Sequence, residues 1–561
     1  MSVESTRVRP RSRSAIVAAS AVVAISAVAA GCGSGSSSTG AAPGRAAGFI
    51  PSTVPMYAEV STDLAGAQWK QAESLGTKFP AYPELMKKVT DDPKSALAMS
   101  IIKANIGKHA AFGVPNLSNV NRADASALAS GDVKSASSNS QVIAAVELLA
   151  GKGDAVKKLI LADGKSKVVG THESVEYFSL NTTMFGAVTE DTLVIGNDEK
   201  NLFAALDAHK AGGDRTIAGS KAVTDQLAKL PSDVLMQAYV NVGGLVKSAA
   251  DQNPSTKALL SAMNVSSDAS VVVSVSAEAN GIRMKGISNG AGTVPGSENF
   301  QPALTANVPS DAVAYVGFHN LAGQVEFLKD TVLKSSPDAQ KQLDAVLPQL
   351  PALLGVSLDD LKALTTKEHA LVVTKGSGSA IPGVALILEQ ADGARAGKTL
   401  DGLRGKIPTL VGLAGSGAAS NIKDFRQVDL GGVRGWELPI NVPNQKINVA
   451  PTYLVDGNLA YLGLTPDAVK SVRKPVSTLA NNPDYVTAAK QVPGSVSSVM
   501  WANVPDAIVA IRNLAKANGS DDPFGTTDGK KALANLEPVK NVIAWSTTGD
   551  DSVSEAFITI K

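Results

Sequence analysis

Cysteine is nearly absent from this chain: Cys32 stands alone among 561 residues. One thiol cannot close an intramolecular disulfide, so stability has to come from burial, which a chain of this length can supply. Histidine is almost as scarce. His109, His172, His209, His319 and His369 are widely scattered, with no i, i+4 pair of the kind a zinc helix uses. No metal and no cofactor are expected. Aromatic residues make up only 4%, so the core must be built mainly from Val, Leu, Ile and Ala. A formal net charge of +1 supplies no global attraction to nucleic acid, which is excluded as a partner.

Catalytic signatures are missing too. There is no Gly-x-Ser-x-Gly elbow, and Gly376-Ser377-Gly378-Ser379 lacks the Gly-Lys-Ser/Thr ending of a phosphate loop. Ser100 with Lys103, and Ser471 with Lys474, have the spacing of a Ser/Lys pair but none of its partner motifs. The acidic pairs Asp91-Asp92, Asp359-Asp360 and Asp521-Asp522 stand beside Pro, Gly or helix starts, where short carboxylates cap free N–H groups. The oxygen-rich stretch 518–529 lacks calcium-loop spacing. No catalytic residue is assigned, and the chain reads as something other than an enzyme.

What is present begins with an address. Arg7, Arg9, Arg11 and Arg13 precede an uncharged run, 15–30, that closes on small residues. A basic leader, a short apolar core and a small-residue cleavage site form a secretory signal, and the core is shorter than the roughly 20 residues of a membrane span. Val28-Ala29-Ala30-Gly31-Cys32 resembles the bacterial lipobox, with Ala29 where that pattern prefers Leu. The resemblance implies that Cys32 carries a lipid and anchors the exported protein to the outer face of the plasma membrane. The expected layout is a signal peptide over 1–31 and a Gly/Ser/Ala tether over 32–48.

The body repeats itself. Ile50-Pro51-Ser52 and Tyr57 return as Val308-Pro309-Ser310 and Tyr315, an offset of 258. Lys108-His109-Ala110 returns as Glu368-His369-Ala370 at 260, and Pro231, Val234, Asn241 and Val242 return as Pro493, Val496, Asn503 and Val504 at 262. Between these anchors Glu147 matches Glu389, and Ile195-Gly196 matches Leu462-Gly463, at 242 and 267. The changes place insertions in the low-complexity stretches 116–140 and 412–420. Two tandem homologous halves follow, 49–297 and 298–561, divided in the Gly/Pro-rich stretch 290–302.

Each half reads as α+β, a hairpin-rich antiparallel or mixed sheet with packed helices. Pro51, Pro231, Pro309 and Pro493 each introduce a strand followed by a helix. Asn280-Gly281 and Asp456-Gly457 are two-residue turn signals. Thr465-Pro466-Asp467 opens a helix with Thr as its cap. Trp69, Ala72 and Phe79 share one helical face, as do Val325, Leu328 and Val332.

Ile50-Pro51-Ser52 with Tyr57, Phe79-Pro80, and Gly355-Val356-Ser357-Leu358-Asp359-Asp360-Leu361 ahead of His369 resemble an uncharacterised family. It is the domain-of-unknown-function 3352 family of actinobacterial lipoproteins. The resemblance implies the address and the fold and transfers no site residues. The expected function is a non-catalytic, lipid-anchored module that binds an envelope protein or a cell-wall polymer. Two alternatives are a carrier or sensor of an apolar, lipid-like ligand and an enzyme whose site assembles from dispersed residues.

Overall fold

The computed structural model describes residues 41–91, 104–116, 141–162, 164, 166–180, 182–252, 265–290, 296–335, 337–375, 381–413, 424–440 and 449–561. The signal segment, Cys32, most of the tether, and the 116–140 and 412–420 stretches beyond their first residues lie outside these.

The first half contributes β1 (Met56–Ser61), β2 (Ile106–Val114), β3 (Ile143–Leu148), β4 (Lys167–His172), β5 (Val175–Ser179), β6 (Phe185–Thr189), β7 (Thr192–Gly196), β8 (Met236–Asn241), β9 (Ser270–Glu278) and β10 (Gly281–Asn289). The second contributes β11 (Ala312–His319), β12 (Glu368–Thr374), β13 (Gly383–Glu389), β14 (Arg426–Asp429), β15 (Arg434–Glu437), β16 (Thr452–Asp456), β17 (Leu459–Gly463), β18 (Ser498–Asn503), β19 (Val539–Thr547) and β20 (Asp551–Ile560).

Among the described residues, twenty strands join one sheet through antiparallel pairs, and the parallel component of a mixed sheet is not seen there. Its first ten strands run β4-β5-β6-β7-β3-β2-β1-β8-β9-β10. β10 then pairs with β20, and the order continues β20-β19-β18-β11-β12-β13-β17-β16-β15-β14. Read outward from the β10–β20 seam, the two lists are the same list. Register agrees strand by strand: Tyr57 lies between Gly113 and Tyr239, as Tyr315 lies between Val372 and Trp501.

The hairpin signals sit one residue away from the turns they mark. Glu278 pairs with Gly281, so the first turn is centred on Ala279-Asn280, and Asp456 pairs with Leu459, centring the second on Gly457-Asn458. Gly431-Gly432, between β14 and β15, has both central residues at positive φ (81° and 90°). Two further turns reach this without glycine, Glu173-Ser174 (49° and 69°) and Glu190-Asp191 (47° and 53°), a conformation that Asn-Gly favours but that pairing on both flanks can impose.

Helices follow the strands: α1 (Ala67–Gly76), α2 (Glu199–Ala211), α3 (Lys221–Leu227), α4 (Leu321–Ser335), α5 (Leu358–Ala363), α6 (Gly393–Leu413), α7 (Pro466–Arg473), α8 (Pro483–Ala489) and α9 (Val504–Ala517). On one face of the sheet, α2 and α3 close a core around Tyr57, Ala111, Val194 and Val272. The same face in the second half has α7 and α8 over Tyr315, Ala370, Trp501 and Ile543, and Trp545 packs against both cores. On the other face α1 sets Leu75 against Ala277 and Ile560, with Ala72 and Phe79 beside them. Gln68 clamps α1 there, exchanging hydrogen bonds with the backbone N–H and C=O of Ala277 at 2.8 and 3.3 Å. Its sequence counterpart α4 behaves differently, leaving Val325 56% exposed.

Candidate functional site

A short 3-10 turn, Arg45–Phe49, crosses the core face of the first half and buries Ala46, Ala47 and Phe49. Gly44 and the turn it opens have backbone N–H groups that no side chain of the turn itself caps. Two buried carboxylates supply the acceptors. Glu59 on β1 takes the Gly44 N–H at 2.9 Å, and Glu147 on β3 takes the Ala46 N–H at 3.3 Å. Glu59 is only 3% exposed and also accepts from Tyr57 Oη (2.7 Å) and Gln237 Nε2 (3.1 Å), with His109 Nδ1 at 3.1 Å.

The electrostatics follow from this crowding. Burial pushes Glu59 upward, but the hydrogen bonds from His109 and Tyr57 outweigh it and hold the carboxyl below its ordinary value. His109 is raised, because the hydrogen bond to Glu59 outweighs its own burial. Burial, reinforced by Glu59, lifts the Tyr57 phenol well above its usual range. A cavity of about 40 Å3 lies beside Glu59, His109, Ser61 and Gln237, and Gln237 Oε1 has no partner. That is room for one water, which would satisfy the orphaned acceptor.

The second half solves the same problem with different residues. Glu368 on β12 is 3% exposed and accepts the N–H groups of Ala303 (2.9 Å) and Leu304 (3.0 Å), which lead into β11. Burial pushes this carboxyl up to about 7; the two N–H groups oppose the rise and Glu389 adds to it.

Register corrects one expectation here. Ser61 pairs with His109, and its counterpart His319 pairs with Glu368. The equivalent of His109 is therefore Glu368, not His369. A one-residue slip moves a side chain to the opposite face of a sheet. His369 accordingly points away from the segment that Glu368 holds, fully buried, edge-on to Phe318 at 5.2 Å, with neither ring nitrogen hydrogen-bonded to a partner. Burial lowers its pKa.

The other histidines are packing residues as well as polar ones. His172 stacks on Phe203 at 4.1 Å and meets Asp207 at 2.6 Å. His209 stacks on Phe49 at 3.7 Å and lies 3.0 Å from the Gly48 carbonyl. Ser471 Oγ donates to the Ala468 carbonyl, as a helical serine does, while Ser100 and Lys103 lie outside the described residues. Asp522 accepts from the Phe524 N–H at 2.9 Å, the turn role expected of it. Among the described residues, no three His, Cys, Asp or Glu side chains are grouped to hold a metal, and no helix is long and apolar enough to cross a membrane.

An open cleft of about 360 Å3 lies where α5 meets the start of α6, and it includes Asp359, Asp360 and Arg395. Ser357 caps α5 by accepting the Asp360 N–H at 3.1 Å, and Asp392 caps α6 by accepting the Arg395 N–H at 3.0 Å. Asp360 then accepts from Ser357 Oγ (2.6 Å) and Arg395 Nε (2.7 Å), which hold its carboxyl below the usual range. Sequence reasoning found Asp359 and Asp360 as helix-start residues. It missed Gln390, Asp392 and Arg395, because nothing local says that a strand end and a later helix meet them.

A family model described as a protein of unknown function, DUF3352, matches residues 152–407, a span that crosses from the first half into the second. No curated protein matches the chain. Among solved structures, crystal form IV of TP0453 aligns at 8% identity and a TM-score of 0.26, covering 43% of this chain and 79% of that one. Crystal form III of TP0453 aligns at 9% and 0.25, covering 44% and 80%.

Proposed function

We propose that this is an exported protein, anchored by a lipid on Cys32, that works by binding rather than by chemistry. One observation carries the reading: the buried carboxylates are occupied as structural clamps. Glu59, Glu147 and Glu368 hold backbone N–H groups of the segments that enter each half. Groups committed in this way are poor candidates for acid–base work, which needs a proton within reach of a substrate. The recurring strand order reads as a duplication within the 49–297 and 298–561 halves. The end of the stretch expected as a free tether, 32–48, is instead pinned to the first half where Glu59 holds Gly44 and Glu147 holds Ala46, a direct route from a lipid to a rigid sheet.

The test is metabolic labelling with an alkyne fatty acid, followed by native mass spectrometry of the intact protein. Label on the wild type and none on Cys32→Ala is expected, with a non-covalent companion in the native spectrum. Equal labelling of both would remove the anchor, and an unaccompanied apo mass would weaken the binding role.

One observation favours an apolar ligand as the second reading. Leu371, Val316 and Met500 stand side by side on β12, β11 and β18, with Leu371 37% and Met500 38% exposed. On α9, Val509, Ile511 and Leu514 are each more than 40% exposed. A companion of lipid mass at fixed stoichiometry would select this reading.

A further inference from the structure

The cleft beside α5 and α6 has charges of both signs, and two of the five, Asp360 and Lys362, are already spent. Asp360 is consumed by Ser357 and Arg395 Nε. Lys362 is drawn away to Glu326 at 3.0 Å. What remains uncommitted is a specific set. Asp359 makes no hydrogen bond within the described protein, and Asp392 uses only Oδ1. Gln390 is 4% exposed, and its Nε2 is fixed by the carbonyls of Leu364 (3.1 Å) and Leu388 (3.3 Å). Its amide orientation is thereby set, leaving Oε1 as an acceptor with no protein partner at the cleft wall. Arg395 spends its Nε, and its two terminal nitrogens are unbonded. Leu364 and Ala396, both buried, give the cleft an apolar floor.

Three free acceptors, two of them anionic, suit a primary ammonium. A guanidinium with a free fork suits a carboxylate, which it grips bidentately. An apolar floor between them suits a small aliphatic side chain. A volume of about 360 Å3 is at the small end for a ligand site, of order 300–1,000 Å3. We propose that this cleft binds a short unblocked peptide as its zwitterion. The ammonium sits among Asp359, Asp392 and Gln390 Oε1, and the carboxylate sits on Arg395. The proposal rests on the binding reading above and names a ligand class for it. Nothing in the first half repeats the Gly355–Leu361 element, so one site per chain is expected.

The experiment is calorimetric titration of the full mature protein with L-alanyl-L-alanine, its N-acetyl form and its C-terminal amide. The free dipeptide should bind at one site, and each blocked form should bind at least tenfold more weakly. Asp359→Asn removes an exposed carboxylate with no internal hydrogen bond, so the fold should survive, as an unchanged melting curve will verify. It should weaken the free dipeptide at least tenfold while leaving the N-acetyl form unaffected. Ala391→Trp, which fills the cleft mouth from an exposed position, should abolish binding. Absence of dipeptide binding to the wild type would overturn the site, as would affinity indifferent to blocking and to Asp359→Asn. A co-purifying companion in the native spectrum despite that result would leave the binding reading standing and this cleft refuted.

Discussion

Lys285 on β10 stands directly opposite Glu555 on β20, and the two hold the same place in their respective halves. Every other pair across this seam joins non-equivalent positions, so the local two-fold axis passes between these two residues. Opposite charges meet where a symmetric pairing of two identical strands would bring like charges together.

That arrangement predicts how the halves behave when separated. Residues 41–290 and 296–561, made as two chains, should form a one-to-one complex in preference to either homodimer. Self-pairing of β10 would oppose Lys285 to Lys285, and self-pairing of β20 would oppose Glu555 to Glu555. Light scattering on the mixed fragments checks it. Lys285→Glu should shift the first fragment away from the complex by about 0.5–1 kcal/mol, and Lys285→Arg should leave the complex intact. Two monomeric fragments that ignore each other would show that the seam contributes nothing.

Arg283 reinforces the same seam. It pairs with Glu278 and with Glu555, donates to Gln491 Oε1 at 2.6 Å, and lies over Phe557 at 5.0 Å. Glu555 is 10% exposed, so Arg283→Ala would leave a nearly buried carboxylate short of its partner. A loss of about 2–3 kcal/mol is expected in urea denaturation. The double variant Arg283→Met with Glu555→Gln should recover part of it.

Glu368 gives stability a pH dependence of defined sign. Its folded value of about 7 lies above its ordinary 4.5, so between those limits the folded state holds a proton that the unfolded state has released. Stability should therefore fall as pH rises through that window, by up to about 3 kcal/mol, and level off above it. Glu368→Gln removes the titrating group and leaves an acceptor for only one of the Ala303 and Leu304 N–H groups, so it should flatten the curve at a lower overall stability. Urea midpoints from pH 4 to 8 decide it; identical slopes for both proteins would count against the assignment.

Gly44 permits the entering segment to lie flat. A Cβ there would meet His109 Cγ at 2.6 Å and Glu147 Oε1 at 2.8 Å. Gly44→Ala should lift this segment off the sheet and release Arg45 and Ala46 from their hydrogen bonds to Leu148, Asp191 and Glu147, raising the rate of tryptic cleavage after Arg45 several-fold. Cleavage elsewhere should change little. Mass spectrometry of timed digests is the measurement.

Much of the scaffold was legible in the chain itself. The offsets 258, 242, 267 and 262 read from the sequence agree with the register of β1, β3, β7 and β8 against β11, β13, β17 and β18. The Thr465 cap and Pro466 at the first helical position are where the sequence put them, with Ala468 N–H donating to Thr465 Oγ1 at 3.2 Å. Such features are local or periodic, so a short stretch of residues carries them entire. His109 and His369 fared differently: a shared His-Ala at the start of an apolar run suggested equivalence, and a shift of one residue put them on opposite faces. Alternation along a strand makes face assignment sensitive to a single residue, and no sequence offset resolves it without the partner strand.

By itself the sequence determined the α+β make-up, several strand entrances and a helix cap, the repeated anchors and the scarcity of residues for metal or disulfide chemistry. Only the tertiary structure decided that β10 and β20 join all twenty strands into one sheet, because edge pairing depends on which strands remain open after each half closes its core. Only it, too, brought Asp359, Gln390, Asp392 and Arg395 to one cleft and set Glu59, Glu147 and Glu368 under passing backbone. Those contacts connect residues far apart along the chain, and burial of apolar surface, which has no direction of its own, selects among them only when the whole fold forms.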